Sequence, residues 1–225
     1  MKTHYNIVCV KYGTKYTSDR VDQLYKMVEK NCSLPFSFYC LTDDNLLDWK
    51  LRPIPLDLSL DLESFWWKIQ LFNLPWNSPT LYFDLDIVIQ NSIDSILKRI
   101  QPNKILTINP DLQHHQDILR EFDAKINTSV IGMYPKTLTH VFQNFIDNKD
   151  YYMIKYRGLD RYLSYNHLSI CKYLKFDYDY YFRWKNDATP YKYVKNHLAH
   201  DPRKTLCLIC QEQSYMYQGL EKYFL

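Results

Sequence analysis

The sequence predicts an α/β fold, with a mixed and mostly parallel central sheet flanked by helices. Three observations carry that expectation. Apolar, β-branched and aromatic runs alternate with stretches of helical period over the first half of the chain. The length of 225 residues suits one domain better than two, and a hydrophobic fraction of 46% is enough to bury a real core. No repeat, low-complexity stretch or linker interrupts the pattern.

The elements follow in order. Residues 5–11 read as a buried first strand. Ser18 or Asp19 can cap a helix whose apolar positions Val21, Leu24, Tyr25 and Val28 recur at i, i+3, i+4 and i+7. Residues 35–41 alternate Phe36, Phe38 and Cys40 with smaller or polar neighbours, as a strand does, and end in the polar turn Thr42-Asp43-Asp44. A Pro- and Leu-rich connection (51–60) leads to a helix from Asp61 to Leu74 with Phe65, Ile69 and Phe72 on one face. A strand over 81–89, a capped helix over 92–100 and a strand over 104–108 come next. Beyond residue 110 the spacing predicts a strand over 127–134 and a helix over 136–147 with Leu138, Val141, Phe142 and Phe145 inward. A helical stretch over 159–174 and a late strand over 205–210 complete the chain. Sheets of this class bind ligands where the carboxyl ends of strands emerge, which is where Asp43, Asp44 and the acids of 81–89 would lie.

Composition excludes several functions. The four glycines (Gly13, Gly132, Gly158, Gly219) are far apart, so no Gly-rich loop can cradle phosphates, and a bound nucleotide would need a metal instead. A net charge of +3 with scattered Lys and Arg argues against nucleic-acid binding. No apolar run approaches the roughly 20 residues of a membrane span, and the apolar stretch near the N-terminus is too short for a signal peptide. Six cysteines sit at 9, 32, 40, 171, 207 and 210, several inside apolar runs where a thiol acts as a small hydrophobe. Cys207 and Cys210 have no second pair and no histidine at finger spacing, which disfavours zinc. A reducing cytoplasm is expected, a host's if the chain is viral.

The most informative segment is Leu81-Tyr82-Phe83-Asp84-Leu85-Asp86-Ile87-Val88-Ile89. Its only carboxylates are two apart, and on a strand they would share a face with Cα atoms roughly 6.5 Å apart. Two like charges among apolar neighbours are costly unless a cation compensates them. A hard divalent ion does so and keeps positions open for pyrophosphate oxygens. The plainer alternative is an edge strand with Tyr82, Asp84, Asp86 and Val88 facing water.

Five pieces in order make the chain similar to a family. They are Val10-Lys11-Tyr12-Gly13 with Tyr16, then Phe38-Tyr39-Cys40-Leu41-Thr42-Asp43-Asp44, Trp66-Trp67-Lys68, Tyr82-Phe83-Asp84-Leu85-Asp86-Ile87-Val88-Ile89, and Asn127-Thr128-Ser129-Val130-Ile131. Over about residues 5 to 135 the chain resembles the small glycosyltransferases of the GT-A fold. It stands near glycosyltransferase family 8, the glycogenin-like set, and its short bacterial and viral relatives. The resemblance implies one GT-A (Rossmann-like) domain over 1–225, with a nucleotide-binding half of about 1–110 and a donor-sugar and acceptor half of about 111–225. It implies a UDP-sugar donor, Mn²⁺ or Mg²⁺, transfer of a hexose to an unknown acceptor hydroxyl, and retention of configuration.

Site roles come from the same resemblance. Val10, Tyr12 and Thr14, with Tyr16 nearby, would frame the base and ribose, and Asp43 would meet the base edge. Asp84 would touch ribose or metal, and Asp86 would ligate the metal. Lys68 would approach phosphate or sugar, Asn127 would face the donor sugar, and Asp160, in Gly158-Leu159-Asp160-Arg161, would lie beside the reacting sugar. Arg161 stands where the family's motif has Gln. The late histidine that often supplies a third metal ligand is missing after strand 205–210, leaving His197, His200, Gln211 and Glu212 open for that role.

Each residue also has a structural alternative. Lys68 can snorkel along a helix surface, Asp43 and Asp44 can form an Asx turn, Asn127 can start a strand, Asp160 can cap a helix, and Trp66 and Trp67 can be core. Two other functions fit the segment around Asp84. One is a haloacid-dehalogenase-like phosphatase with Asp84 as nucleophile and Asp86 as general acid; the other is a sugar-nucleotide-binding module without activity.

Overall fold

The chain begins with β1 (Tyr5–Lys11), α1 (Ser18–Asn31), β2 (Phe36–Thr42) and the short β3 (Pro53–Pro55). A 3-10 segment (Ser64–Asn73), β4 (Thr80–Phe83), β5 (Ile87–Ile89), the single-turn α2 (Asp94–Leu97) and β6 (Ile105–Ile108) follow. Then come β7 (Asn127–Met133), α3 (Thr139–Asp147), α4 (Lys149–Tyr156), α5 (Leu159–Asn166), β8 (Cys171–Tyr173), β9 (Tyr180–Trp184) and β10 (Thr205–Cys210). The structure is a computed structural model that describes residues 3–44, 51–108, 124–174, 180–184 and 205–210.

Seven strands form one sheet in the order β3-β2-β1-β4-β7-β6-β8, and β5, β10 and β9 form a second, smaller one. In the large sheet β2 is parallel to β1 and β3, and β1 to β4. Strand β7 runs opposite, antiparallel to both β4 and β6, while β8 is parallel to β6. Strand alternation divides the core into two layers. Ile7, Cys9, Leu81 and Phe83 pack with Val21, Leu24 and Val28 of α1. On the other face Val8 and Tyr82 pack with Trp66, Trp67, Phe72 and Phe145.

The predicted sheet class and the strand positions match this architecture, and Trp66 and Trp67 are core residues. Several elements differ from expectation. The strand over 81–89 is two strands in different sheets, broken at Asp84, Leu85 and Asp86. Its water-facing alternative is overturned too, because Tyr82 and Val88 are buried and β4 lies in the middle of the sheet. A central strand cannot bury two like charges at i and i+2, so the chain leaves the ladder and turns there. The segment from Asp61 is a 3-10 helix beginning at Ser64, and Phe65, expected inside, is 45% exposed. Residues 92–100 hold only one α-helical turn. The stretch 159–174 is helical only to Asn166, then passes through a 3-10 turn into β8. Thr17 occupies the N-cap of α1 in place of Ser18 or Asp19.

Gly132 on β7, opposite Leu81 and Leu106, shows how closely the large sheet packs. A Cβ there would lie 2.9 Å from Ile100 Cγ1 and 3.1 Å from Leu106 Cβ, and the second atom is fixed by its own backbone. Gly132→Ala is expected to cost about 1–3 kcal/mol through overpacking. Its urea midpoint should fall with an unchanged m-value; an unchanged midpoint would mean the strands can part there.

Candidate active site

The sheet order reverses between β1 and β4: the chain steps from β1 outward to β2 and β3, then returns to place β4 on the other side of β1. Ligands of open α/β sheets bind at such a reversal, beyond the carboxyl ends of the strands. A cleft of about 420 Å³ opens there. Val10, Tyr12, Thr14 and Tyr16 line it from the end of β1, and Lys68, Asp84 and Asp86 line it from the 3-10 segment and the turn after β4.

The acid turn is built by backbone bonds. Asp84 N donates to Ser129 O at 2.9 Å, extending the β4–β7 ladder by one bond, and Ile87 N donates to Asp84 O at 3.2 Å, closing the turn. Arg20, only 4% exposed, reaches in from α1. Its Nε donates to Leu85 O, and a terminal nitrogen donates to Ile87 O at 2.7 Å. A buried guanidinium thus holds the carbonyls that flank Asp86. No role for Arg20 was read from the sequence. Its signal there is an arginine at i of a stripe whose i+4 and i+7 are Leu24 and Met27, both core residues. Arg20→Met is expected to cost about 2–3 kcal/mol by leaving those carbonyls without their charged donor. Arg20→Lys should recover part of that loss in a denaturant titration, and equal losses in the two variants would assign the effect to packing alone.

The two carboxylates of the turn have different surroundings. Lys68 Nζ lies 2.6 Å from Asp84 Oδ1 and donates to Oδ2 at 2.9 Å. The Tyr82 hydroxyl also donates to Asp84 Oδ1, and the Lys68 ammonium sits 5.5 Å from the centre of the Tyr82 ring. Burial opposes the Lys68 charge, but Asp84, Asp160 and Asp86 outweigh it and hold the ammonium above its ordinary range. Burial, then Asp84, pushes the Tyr82 hydroxyl well up, so it remains a donor. Asp86 Oδ1 is buried without a hydrogen-bond partner. Burial first, and the neighbouring Asp84 second, raise the Asp86 carboxyl to about 7 against the pull of Lys68, Lys15 and Arg20. Lys68 is therefore an ion-pair partner and not a surface snorkel.

On the β1 side, Tyr12 is 41% exposed and stacks on Trp67, with centroids 4.6 Å apart and planes at 27°. The Trp67 indole N–H is buried without an acceptor. Gly13, at φ +61°, turns the chain in a conformation that costs other residues. Its N–H donates to both oxygens of Asp43, at 3.0 and 3.2 Å. Lys11 Nζ pairs with Asp44 at 2.9 Å and donates to Gly13 O at 3.4 Å. Asp43 thus anchors the cleft-lining loop from behind, while Thr42, whose hydroxyl accepts from Asp44 N at 2.9 Å, closes the local turn.

A second cleft of about 260 Å³ shares Phe65 and Lys68 with the first and is lined also by Thr128, Gly158 and Asp160. Asp160 Oδ1 accepts from Thr128 N at 3.0 Å and from the Thr128 hydroxyl, tying α5 to β7 instead of capping its own helix. Burial raises the Asp160 carboxyl, and Lys68 and Thr128 pull it back. The buried Asn127 lies beside these residues in sequence, but its Oδ1 accepts from Ser129 N at 2.9 Å, so its side chain serves the start of β7. The structure therefore gathers Val10, Tyr12, Thr14, Tyr16, Lys68, Asp84 and Asp86 in one cleft and Asp160 in the adjoining one. Asp43 and Asn127 lie behind the walls. Tyr82, Thr128 and Arg20 complete the site, and sequence spacing did not mark them.

Among the described residues no group of three His, Cys, Asp or Glu side chains converges. His197, His200, Gln211 and Glu212 lie outside the described residues.

No protein-family profile matches the sequence, and no curated protein matches it. Solved structures do match the fold. The galactosyltransferase LgtC, in complex with donor and acceptor sugar analogues, aligns over 92% of this chain and 87% of its own at 13% identity, TM-score 0.59. The glycosyltransferase GlyE of Streptococcus pneumoniae TIGR4 aligns over 98% of this chain at 14% identity, TM-score 0.70, and the alignment spans 61% of GlyE. A glycosyltransferase involved in glycosylation of the major capsid of PBCV-1 aligns over 98% and 99% of the two chains at 13% identity, TM-score 0.54. At these identities the likeness is one of fold, and the fold is the GT-A type.

Proposed function

We propose that the chain is a single-domain, metal-dependent glycosyltransferase that moves a hexose from a UDP-sugar to an acceptor hydroxyl with retention. The observation that carries this reading is the acid turn at the reversal of strand order, with Asp86 Oδ1 buried and unpartnered beside the Asp84–Lys68 pair. An orphaned carboxylate oxygen on a residue that lines the cleft suits a hard divalent ion, and Asp86 with Asp84 would hold Mn²⁺ or Mg²⁺ there. Such an ion supplies Lewis-acid stabilisation of the charge that builds on a departing diphosphate.

The chain's own residues supply the rest. The exposed Tyr12 ring, backed by Trp67, offers a face for the uracil, and Val10, Thr14 and Tyr16 bound the ribose side. Lys68 brings a fixed positive charge to the diphosphate while remaining ion-paired to Asp84. Asp160, held by Thr128, lines the adjoining cleft and fixes the hexose for transfer. The bond from the anomeric carbon to the phosphate oxygen breaks with its pair leaving on UDP, the acceptor oxygen bonds to the same carbon, and the acceptor's hydroxyl proton passes to the departing phosphate oxygen.

Calorimetry tests this directly, with UDP titrated with and without Mn²⁺ into the wild type and Asp86→Ala. Tight binding only for the wild type with Mn²⁺ is expected, and equal affinity in all four titrations would sink the metal-bridge reading. A sugar-nucleotide-binding module without turnover is the second reading. Slow hydrolysis of a UDP-sugar without acceptor would exclude it.

A further inference from the structure

We propose that Lys15 is a diphosphate-binding residue of the first cleft, meeting the donor's phosphates from the loop between β1 and α1. This role rests on the nucleotide reading given above and adds to it a residue that no sequence motif marked.

The first cleft is lined by two cations, Lys15 and Lys68, and by two carboxylates, Asp84 and Asp86. Lys68 is held by Asp84 at 2.6 Å. Three cations act on the Asp86 carboxyl: Lys68, Lys15 and Arg20. Arg20 is buried and donates to Leu85 O and Ile87 O. Lys15 is exposed, and among the described residues no carboxylate pairs with it. Its ammonium lies 5.1 Å from the centre of the Tyr16 ring, which also lines the cleft. An aromatic face attracts an ammonium without cancelling its charge or taking its N–H donors. An entering diphosphate therefore meets, in Lys15, the cation of the lining that no carboxylate holds.

The charge balance of the cleft leaves room for that cation. The Asp84–Lys68 pair is neutral as a unit, and a divalent ion on an ionised Asp86 keeps a single net positive charge. The two phosphates of a nucleotide sugar carry one charge more than that. Lys15 supplies the difference, as a compact point charge on a stem long enough to follow the phosphates.

The backbone beneath Lys15 is pinned on both sides. The Gly13 N–H donates to both oxygens of Asp43, and Lys11 Nζ donates to Gly13 O at 3.4 Å. On the far side Arg20 N donates to Thr17 O at 3.1 Å, while the Arg20 side chain grips the acid turn. One residue thus ties the start of α1 to the turn that carries Asp86. Between these anchors the Lys15 side chain stands in water, where folding makes no demand for a cation. A fixed backbone with a solvated ammonium beside a carboxylate suits the capture of an anion that enters from solvent.

Calorimetry on the full-length chain tests this with uridine, UDP and inorganic pyrophosphate, each with and without Mg²⁺. The wild type is compared with Lys15→Met, Lys15→Arg and Lys98→Met, the last removing an exposed lysine outside both clefts. Lys15→Met should weaken UDP and pyrophosphate about five- to tenfold and leave uridine unchanged within about twofold. Its Tm should stay within about 2 °C of the wild type, as for other exposed positions. Lys15→Arg should keep most of the affinity and Lys98→Met all of it. The inference falls if Lys15→Met leaves UDP and pyrophosphate intact, if Lys98→Met weakens them equally, or if uridine weakens as much as UDP. It falls also if the wild type binds neither phosphate ligand. Lys15-dependent binding of pyrophosphate by a chain that binds UDP no tighter would defeat only the nucleotide reading.

Discussion

Under the proposed function, replacing Asp86 with alanine is expected to lower UDP-sugar turnover by about 10²–10³-fold, because the charge on a departing diphosphate would lose its main compensation. The pH dependence has a definite sign. Asp86 is raised to about 7 by burial and by Asp84, so near neutrality its carboxyl still holds a proton that a divalent ion must displace. Apparent Mn²⁺ affinity should therefore fall as pH drops below about 7 and level off above it. The folded group's pKa lies above its unfolded value near 4, so its contribution to stability is fully present below about pH 4 and is lost as pH rises through about 7. Asp86→Asn, which cannot ionise, should make the metal-free chain more stable than wild type at pH 8 by about 1–3 kcal/mol while remaining inactive. Urea titrations at pH 5 and pH 8 read this out, and a variant less stable than wild type at pH 8 would show that the carboxylate is compensated by groups other than a metal.

Lys68→Met is expected to have the second large effect, on folding as well as on turnover. It removes the cation 2.6 Å from Asp84 and leaves that carboxylate in an apolar turn with only Tyr82 for support. Breaking a largely but not fully buried pair from one side costs about 2–4 kcal/mol, most of it the charge left behind. The double variant Lys68→Met/Asp84→Asn should therefore recover much of the stability and none of the turnover, which separates the structural from the catalytic contribution. If the double variant were no more stable than Lys68→Met, the pair would not be what holds the turn.

Much of the fold was legible in the sequence because its signals are local. Ile7, Cys9, Phe38 and Phe83 sit on one face of their strands by alternation, and Val21, Leu24 and Val28 by helical spacing, and both patterns agree with the packed core. The 3-10 form of the Ser64–Asn73 segment was not legible, since Phe65 and Phe72 fit a helical stripe whether or not both find a partner. Phe72 packs in the core and Phe65 does not. Likewise the span 81–89 has the composition of one strand, and only competition for a place in the sheet decides that it breaks at the acids.

The sequence by itself determined which residue types are available for chemistry: two carboxylates set among apolar neighbours, a lysine after two tryptophans, and no glycine-rich loop. Tertiary structure decided their roles. Asp84 became a paired carboxylate and Asp86 an orphaned one only because Lys68, Tyr82 and Arg20 arrive from other elements. Periodicity records which face of an element is buried, but the energy of a charge depends on what stands within a few ångströms of it, and those neighbours are brought together by the fold.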